Sequence, residues 1–309
     1  MKEHVAICEV APRDGLQIAR SRMATDMKVR WIAAIAAAGI SEIEVGSFVP
    51  ARVIPQMADT PAVVAACLAA IPGLVVQALV PNLRGAQDAY RAGVHKVSVP
   101  VSVSEGHSRA NLNRAPAEQI AEVKSIAAWL KVQPRIVPVL VACSTAFGCS
   151  IDGVVPVAST VAVAAGLAEA GADEIMLADT VGYANPAQIR AVVRAVRAEI
   201  GDRLHGLHLH DTMGLGLANA LAGLEESVRA FDSCLAGLGG CPYAPGASGN
   251  VVTEDLVFMV ESMGFATGID LPALLAARRI LHEGLPDEKL HGHVATAGIP
   301  RTFRNASES

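Results

Sequence analysis

The sequence predicts an α/β protein, a (β/α)8 TIM barrel with a C-terminal helical extension, and three observations carry that expectation. Short Val/Ile/Leu runs recur along the chain, each is followed by a longer Ala-rich segment with helical spacing, and isolated polar residues stand at the ends of several runs. Strands alternating with helices form parallel βαβ units, and runs that are apolar throughout suit strands covered on both faces. About eight such units in 309 residues are what a closed barrel needs. A doubly wound open sheet is the competing architecture, but it would leave the polar residues at the run ends without a common centre.

In chain order the runs are VAICEV (5–10), EIEVGS (42–47), LVVQALV (74–80), KVSVPV (96–101), RIVPVLVAC (135–143), EIMLAD (174–179), LHGLHLH (204–210) and FDSCLAG (231–237). Between them lie DMKVRWIAAIAAAG, APAEQIAEVKSIAAWLK and PAQIRAVVRAVRAEIG, which begin near Pro or a capping residue and often stop at Gly. No low-complexity linker interrupts the series. Residues 1–265 are therefore expected to form the catalytic barrel, and 266–309 a helical extension packed on it, with its helices running from Leu271 onward.

Composition narrows the function. With 52% hydrophobic residues the chain can bury a large core, and with only 4% aromatics that core is built of Ala and Val, which suits tightly packed strands and Ala-rich helices. The formal charge of -5 and the scattered Lys and Arg give no surface for a phosphate backbone, so nucleic acid is not an expected partner. The six cysteines show no CxxC and no secretory framework, which reads as free thiols in a reducing cytosol. The start, MKEHVAICEV, is too short and acidic for a signal peptide, and no apolar stretch of about 18 residues is present for a membrane span. A cytoplasmic protein is expected.

Active sites of such barrels lie at the C-terminal ends of the strands. Arg13 and Asp14 follow the first run, Glu44 sits within the second, Asp179 ends the sixth, and His208 and His210 end the seventh. After the eighth comes GLGGCPYAPGASGN, carrying Cys241 and ending at Asn250, with Glu254 just beyond. Residues two apart on a strand point the same way, so His208 and His210 are expected to be neighbours. Neutral imidazole is a common metal ligand. Each residue also has a structural alternative: Asp14 before Gly15 as a turn former, Asp179-Thr180 as a helix cap, Arg13 as a surface ion pair. Glu44 resists one, because a buried carboxylate needs a cation or donor beside it. An aspartate, two histidines and an asparagine oxygen make a mixed N/O site with positions to spare, suited to Mg²⁺ or Mn²⁺ rather than to a structural zinc.

EVAPRDGLQ, SEIEVGSFVP, HLHDTMGLGLANAL and above all GLGGCPYAPGASGNVVTEDLVFM resemble the 3-hydroxy-3-methylglutaryl-CoA lyase family of the DRE-TIM metallolyase superfamily. The resemblance runs along nearly the whole chain to a bacterial-type tail, GHVATAGIP. It implies a barrel that cleaves HMG-CoA to acetyl-CoA and acetoacetate with a divalent cation (Mg²⁺ or Mn²⁺), and by association leucine degradation and ketone-body formation. It implies that Asp14, His208, His210 and Asn250 bind the metal, and that Arg13 stabilises the thioester oxygen. It also implies proton transfer by Cys241 and support from Glu44, Asp179 and Glu254. Arg13, Gln17, Asn111 and Asn113 would contact the acyl-CoA, a diffusing substrate, and a homodimer or higher homo-oligomer is the default for such barrels.

Isopropylmalate and homocitrate synthases share the Arg-Asp-Gly element and paired histidines but characteristically carry Glu where this chain has Leu16, and they lack a Gly-rich loop like that around Cys241. Two segments depart from the lyases. CSTAFGCSIDGVVP stands where they tend to carry Cys-Pro-Tyr-Glu-Gly, and His107-Ser108 stand where an aromatic is common. Citramalyl-CoA and longer 3-hydroxy-3-alkylglutaryl-CoA thioesters therefore remain open as substrates. The expected step is a retro-Claisen cleavage, with His208 as first candidate for the base and Asp14 as second. Cys241 is the expected proton donor, because it alone of the six lies in a Gly/Pro loop, whose glycines 237, 239, 240, 246 and 249 would allow closure.

Overall fold

The computed structural model describes residues 2–239 and 249–306. Eight parallel strands close into a barrel in sequence order: β1 (Ala6–Glu9), β2 (Glu42–Ser47), β3 (Val75–Leu79), β4 (Lys96–Ser102), β5 (Val139–Ser144), β6 (Glu174–Asp179), β7 (Leu204–Leu209) and β8 (Ala230–Ser233). β8 pairs with β1 through Ala6↔Ala230 to Glu9↔Ser233, which closes the ring. The helices around it are α1 (Thr25–Ala37), α2 (Thr60–Ala70), α3 (Leu83–Ala92), α4 (Glu105–Leu112), α5 (Pro116–Lys131), α6 (Val157–Glu169), α7 (Pro186–Ile200), α8 (Gly216–Glu225) and α9 (Thr253–Ser262). After them come α10 (Leu271–Gly284) and α11 (His293–Ala297).

Local chemistry sets the boundaries. α7 opens with Pro186 at its first position and Asn185 as cap, whose Oδ1 accepts from Gln188 N at 3.1 Å. α1 stops before Gly39, which takes a left-handed φ of 103°. The fifth strand starts at Val139 and not at Arg135. Pro138 lacks the N–H a ladder needs, and Arg135 turns aside to lie over the Tyr90 ring at 4.5 Å and donate to the Tyr90 carbonyl at 2.6 Å. The eighth ends at Ser233, and the rest of the expected run becomes the tight turn Leu235–Gly237, with Ala236 at a φ of 62°.

The core lies between strands and helices, with Trp31, Ile32 and Ile35 of α1 and Val192, Val193 and Val196 of α7 fully buried or nearly so. α10 lies against α1, and Ala266 exchanges backbone hydrogen bonds with Glu3 and Val5, so the C-terminal segment is continuous with the wall of the barrel. Inside, the N-terminal end is filled by Lys96 of β4, bound at 2.8 Å to both Glu42 of β2 and Glu174 of β6. Three alternate strands thus supply one polar layer, in the layered manner of such barrels.

Candidate active site

At the opposite end the strands surround a cavity of about 200 Å³. Its lining shows the two-residue alternation of strands directly: Ser98 and Pro100 on β4, Leu140, Ala142 and Ser144 on β5, Ala178 and Thr180 at the end of β6, His208 and His210 at the end of β7. Leu79, Val99 and Leu140 give it apolar wall, whereas Arg13, Asp14, Glu44, His208, His210 and Asp232 cluster on the side made by β1, β2, β7 and β8.

Arg13 and Asp14 sit in a wide π-type turn, Ala11–Gly15, directly after β1. Glu9 shapes that turn by accepting from Ala11 N at 2.9 Å, while also accepting from Leu235 N and Thr253 Oγ1, so one buried carboxylate ties the first and last strand ends together. The Arg13 Nε donates to Glu44 and Nη1 to Asp14 at 2.5 Å. Burial works against the Arg13 charge, but Glu44 and Asp14 outweigh it and hold the guanidinium ionised. Burial likewise opposes the charge on Asp14, yet Arg13, both histidines and Asn250 bring it down to about 2. Glu44 is further held by Ser98 and by Gln77 Nε2 at 3.4 Å.

His208 and His210 do share a side, with ring centroids 5.2 Å apart and their Nε2 atoms at 3.1 Å. His208 Nδ1 meets Asp232 Oδ2 at 3.0 Å. Burial disfavours the His208 cation, but the Asp232 bond reverses this and lifts His208 above the ordinary value; burial and the neighbouring His208 push His210 down to about 4. His210 lies one residue past β7, where it bridges to Asn250, and the bond from Asp211 N to the Gly249 carbonyl fixes that return segment. Asn250 Nδ2 donates to Asp14 Oδ2 at 2.7 Å.

Ligand atoms of Asp14, His208 and His210 all lie within 4.8 Å of one another, and all three residues are buried. Two features favour a cation there. Imidazole nitrogens 3.1 Å apart need a proton or a cation between them, and the Asp14 carboxylate beside them adds an anionic ligand atom suited to the cation. Asn250 Oδ1, on the residue bonded to Asp14, is buried without a hydrogen-bond partner among the described residues. The donor set, one carboxylate, two imidazoles and an amide oxygen, is that of a mixed N/O site for a divalent ion.

Other expected residues fall into two groups. Gln17 lines the cavity and donates to Asp14 at 3.2 Å, and Asn111 of α4 lines it as well. Asn113 instead ends α4 in a left-handed conformation at φ 53°. Asp179 accepts from Tyr183 N and Ala184 N at 3.0 and 3.1 Å and is pushed up to about 6 by burial, so it organises the turn before α7 while Thr180 faces the cavity. Glu254 is buried and accepts from Ala236 N at 3.1 Å and from Arg278 of α10, which also donates to the His291 carbonyl. Cys241, Gly240 and Gly246 lie outside the described residues, and Cys8, Cys67, Cys143, Cys149 and Cys234 are free thiols, all but Cys8 buried.

Sequence reasoning missed Asp232. Its signal was present, since an aspartate inside FDSCLAG is as anomalous as Glu44 inside EIEVGS. His107 was noticed only as a departure; it lines the cavity, with Nδ1 2.8 Å from Ser102 Oγ.

A family model described as HMGL-like matches residues 4–281. The chain belongs to the HMGL-like family. Among similar relatives of this HMGL-like protein is hydroxymethylglutaryl-CoA lyase YngG of Bacillus subtilis (strain 168), 39% identical over 279 residues that cover 90% of this chain and 92% of the relative. The (R)-citramalyl-CoA lyase of Chloroflexus aurantiacus is 40% identical over 284 residues, 89% of each chain. An HMG-CoA lyase structure from Acinetobacter baumannii, in complex with coenzyme A and 3-methylmalate, superposes with a TM-score of 0.89 at 37% identity over 97% of both chains. Both relatives and this solved structure are named as lyases of acyl-CoA substrates, and the closed barrel expected from the sequence is the one observed.

Proposed function

We propose that this HMGL-like protein cleaves 3-hydroxy-3-methylglutaryl-CoA to acetyl-CoA and acetoacetate by a retro-Claisen reaction that uses a divalent cation, Mg²⁺ or Mn²⁺. The observation that carries this reading is the buried Asp14–His208–His210 cluster with Arg13 beside it, at the C-terminal mouth of the barrel. Asp14, His208 and His210 would hold the cation with Asn250 next to them, and the cation would supply Lewis acidity to the substrate's tertiary alcohol and orient its oxygens.

The chain's own residues supply the rest. The alcohol proton passes to Asp14, the second of the two candidates, as the C2–C3 bond breaks, because His208 with Nδ1 on Asp232 and Nε2 toward the cation site has no lone pair left to take it. The electron pair moves into the thioester, where the fixed Arg13 cation stabilises the enolate oxygen more strongly than the neutral ground state. Glu44 keeps the guanidinium aimed, through its bond to Nε. Cys241 then returns a proton to the enolate carbon, a task for which a thiol with an ordinary pKa near about 8.5 is suited at neutral pH. Gln17 and Asn111 supply hydrogen bonds to the substrate, and Glu254, tied to Ala236 and Arg278, fixes the start of the loop that carries Cys241.

The Chloroflexus relative favours a second reading, cleavage of citramalyl-CoA on the same machinery. Citramalyl-CoA carries the same alcohol, carboxylate and thioester with one methylene fewer between alcohol and carboxylate, so the same Arg13, Asp14 and histidines would serve it. No helix among the described residues is long and apolar enough to cross a membrane. A cytoplasmic homodimer, or a higher homo-oligomer, completes the proposal.

The test is acetyl-CoA release by metal-stripped protein with and without Mg²⁺ or Mn²⁺. HMG-CoA, citramalyl-CoA and a longer 3-hydroxy-3-alkylglutaryl-CoA are assayed in parallel. Metal-dependent turnover greatest with HMG-CoA supports the main reading. Turnover of another thioester alone keeps the mechanism and changes the substrate, and cleavage of none overturns both.

A further inference from the structure

We propose that Asp232 is a positioning residue for the cation site, which fixes His208 as an Nε2 ligand. The inference rests on the cation-site reading above and concerns a residue outside the Asp14–His208–His210–Asn250 set.

The backbone brings the two side chains together. His208 of β7 and Asp232 of β8 are register partners in adjacent parallel strands, and both appear in the cavity wall. Side chains directly paired on one face of a sheet are within reach of each other, so the contact is built into the barrel and needs no loop to form. The 3.0 Å bond runs from His208 Nδ1 to Asp232 Oδ2, and both residues are nearly buried.

An aspartate acceptor on Nδ1 selects the tautomer that carries its proton there. Nε2 is then left with its lone pair, and Nε2 is the atom that faces His210 Nε2. A metal-bound histidine gains both orientation and donor strength from such a carboxylate behind it. The two histidines differ in this respect. His210 Nδ1 has no hydrogen-bond partner among the described residues, so His208 is the ligand with a fixed ring. Asp232 does not belong to the group of ligand atoms that converge within 4.8 Å, which places it behind the site and not in it.

The test is Mn²⁺ binding by metal-stripped protein without any acyl-CoA, read from the electron paramagnetic resonance of free Mn²⁺. Asp232→Asn keeps an acceptor oxygen but loses the charge; Asp232→Ala loses both. Melting curves in EDTA identify the folded variants, and Asp232→Asn suffices if Asp232→Ala does not fold. The expected result is a dissociation constant raised about 10- to 100-fold, with Ala worse than Asn where both fold. Folded variants that bind Mn²⁺ as tightly as wild type overturn the proposal alone and make Asp232 a structural partner. Wild-type protein that binds no Mn²⁺ overturns it together with the cation-site reading.

Discussion

Arg13 is held on two sides by carboxylates and faces the cavity with what remains of its donor fork. A lysine cannot reproduce that fork. Arg13→Lys is expected to lower kcat by about 10²-fold and Arg13→Ala by about 10³-fold, the range found when a donor to a developing oxyanion is lost. Because either change weakens the pairing of buried Glu44, Arg13→Ala should also cost about 3 kcal/mol in a urea titration. A variant that melts like wild type and turns over normally would remove Arg13 from the mechanism. At this scale the sequence was legible where a polar residue broke an apolar run. Glu44 stood out for that reason, and Asp232 was passed over because its run was read only as a strand. Asp179 was visible as a residue of interest, but its bonds to Tyr183 N and Ala184 N depend on how the chain turns after β6, which no local pattern encodes.

At the scale of elements, the site depends on how closely β7 and β8 approach. A Cβ at Gly206 would stand 2.3 Å from the Ala230 carbonyl oxygen, so only glycine fits between these strands. Gly206→Ala is therefore expected to push β7 away from β8 and cost about 3 kcal/mol. It should weaken Mn²⁺ binding as well, because the His208–Asp232 pair lies two residues further along the same two strands. Stability from urea titration and Mn²⁺ affinity, measured on the same sample, should fall together. Alternation of apolar runs and Ala-rich segments was enough to find all eight strands to within a few residues. The exceptions have local causes: Pro138 delays β5, and the left-handed Ala236 ends the β8 run early. Neither Gly206 nor its neighbour across the sheet announces itself, since close approach is a property of two segments and not of one.

For the whole molecule, a cation that binds only the folded chain must raise its stability. Mn²⁺ at about 100 times its dissociation constant should add about 2.7 kcal/mol, visible as a higher melting temperature that EDTA reverses and that His210→Ala abolishes. The other end of the barrel makes its own contribution. Lys96 bears its charge despite burial, because Glu42 and Glu174 outweigh the cost of desolvation. Lys96→Met leaves two carboxylates facing each other and should cost about 3 kcal/mol in urea while leaving kcat intact. The same Lys96 layer lies at the end of the barrel opposite the mouth lined by Arg13 and His208. β2 and β4 take part in both ends: Glu42 and Lys96 enter the charge layer, whereas Glu44 and Ser98, two residues on, hold Arg13 in place, so one strand separates what keeps the barrel folded from what works in it.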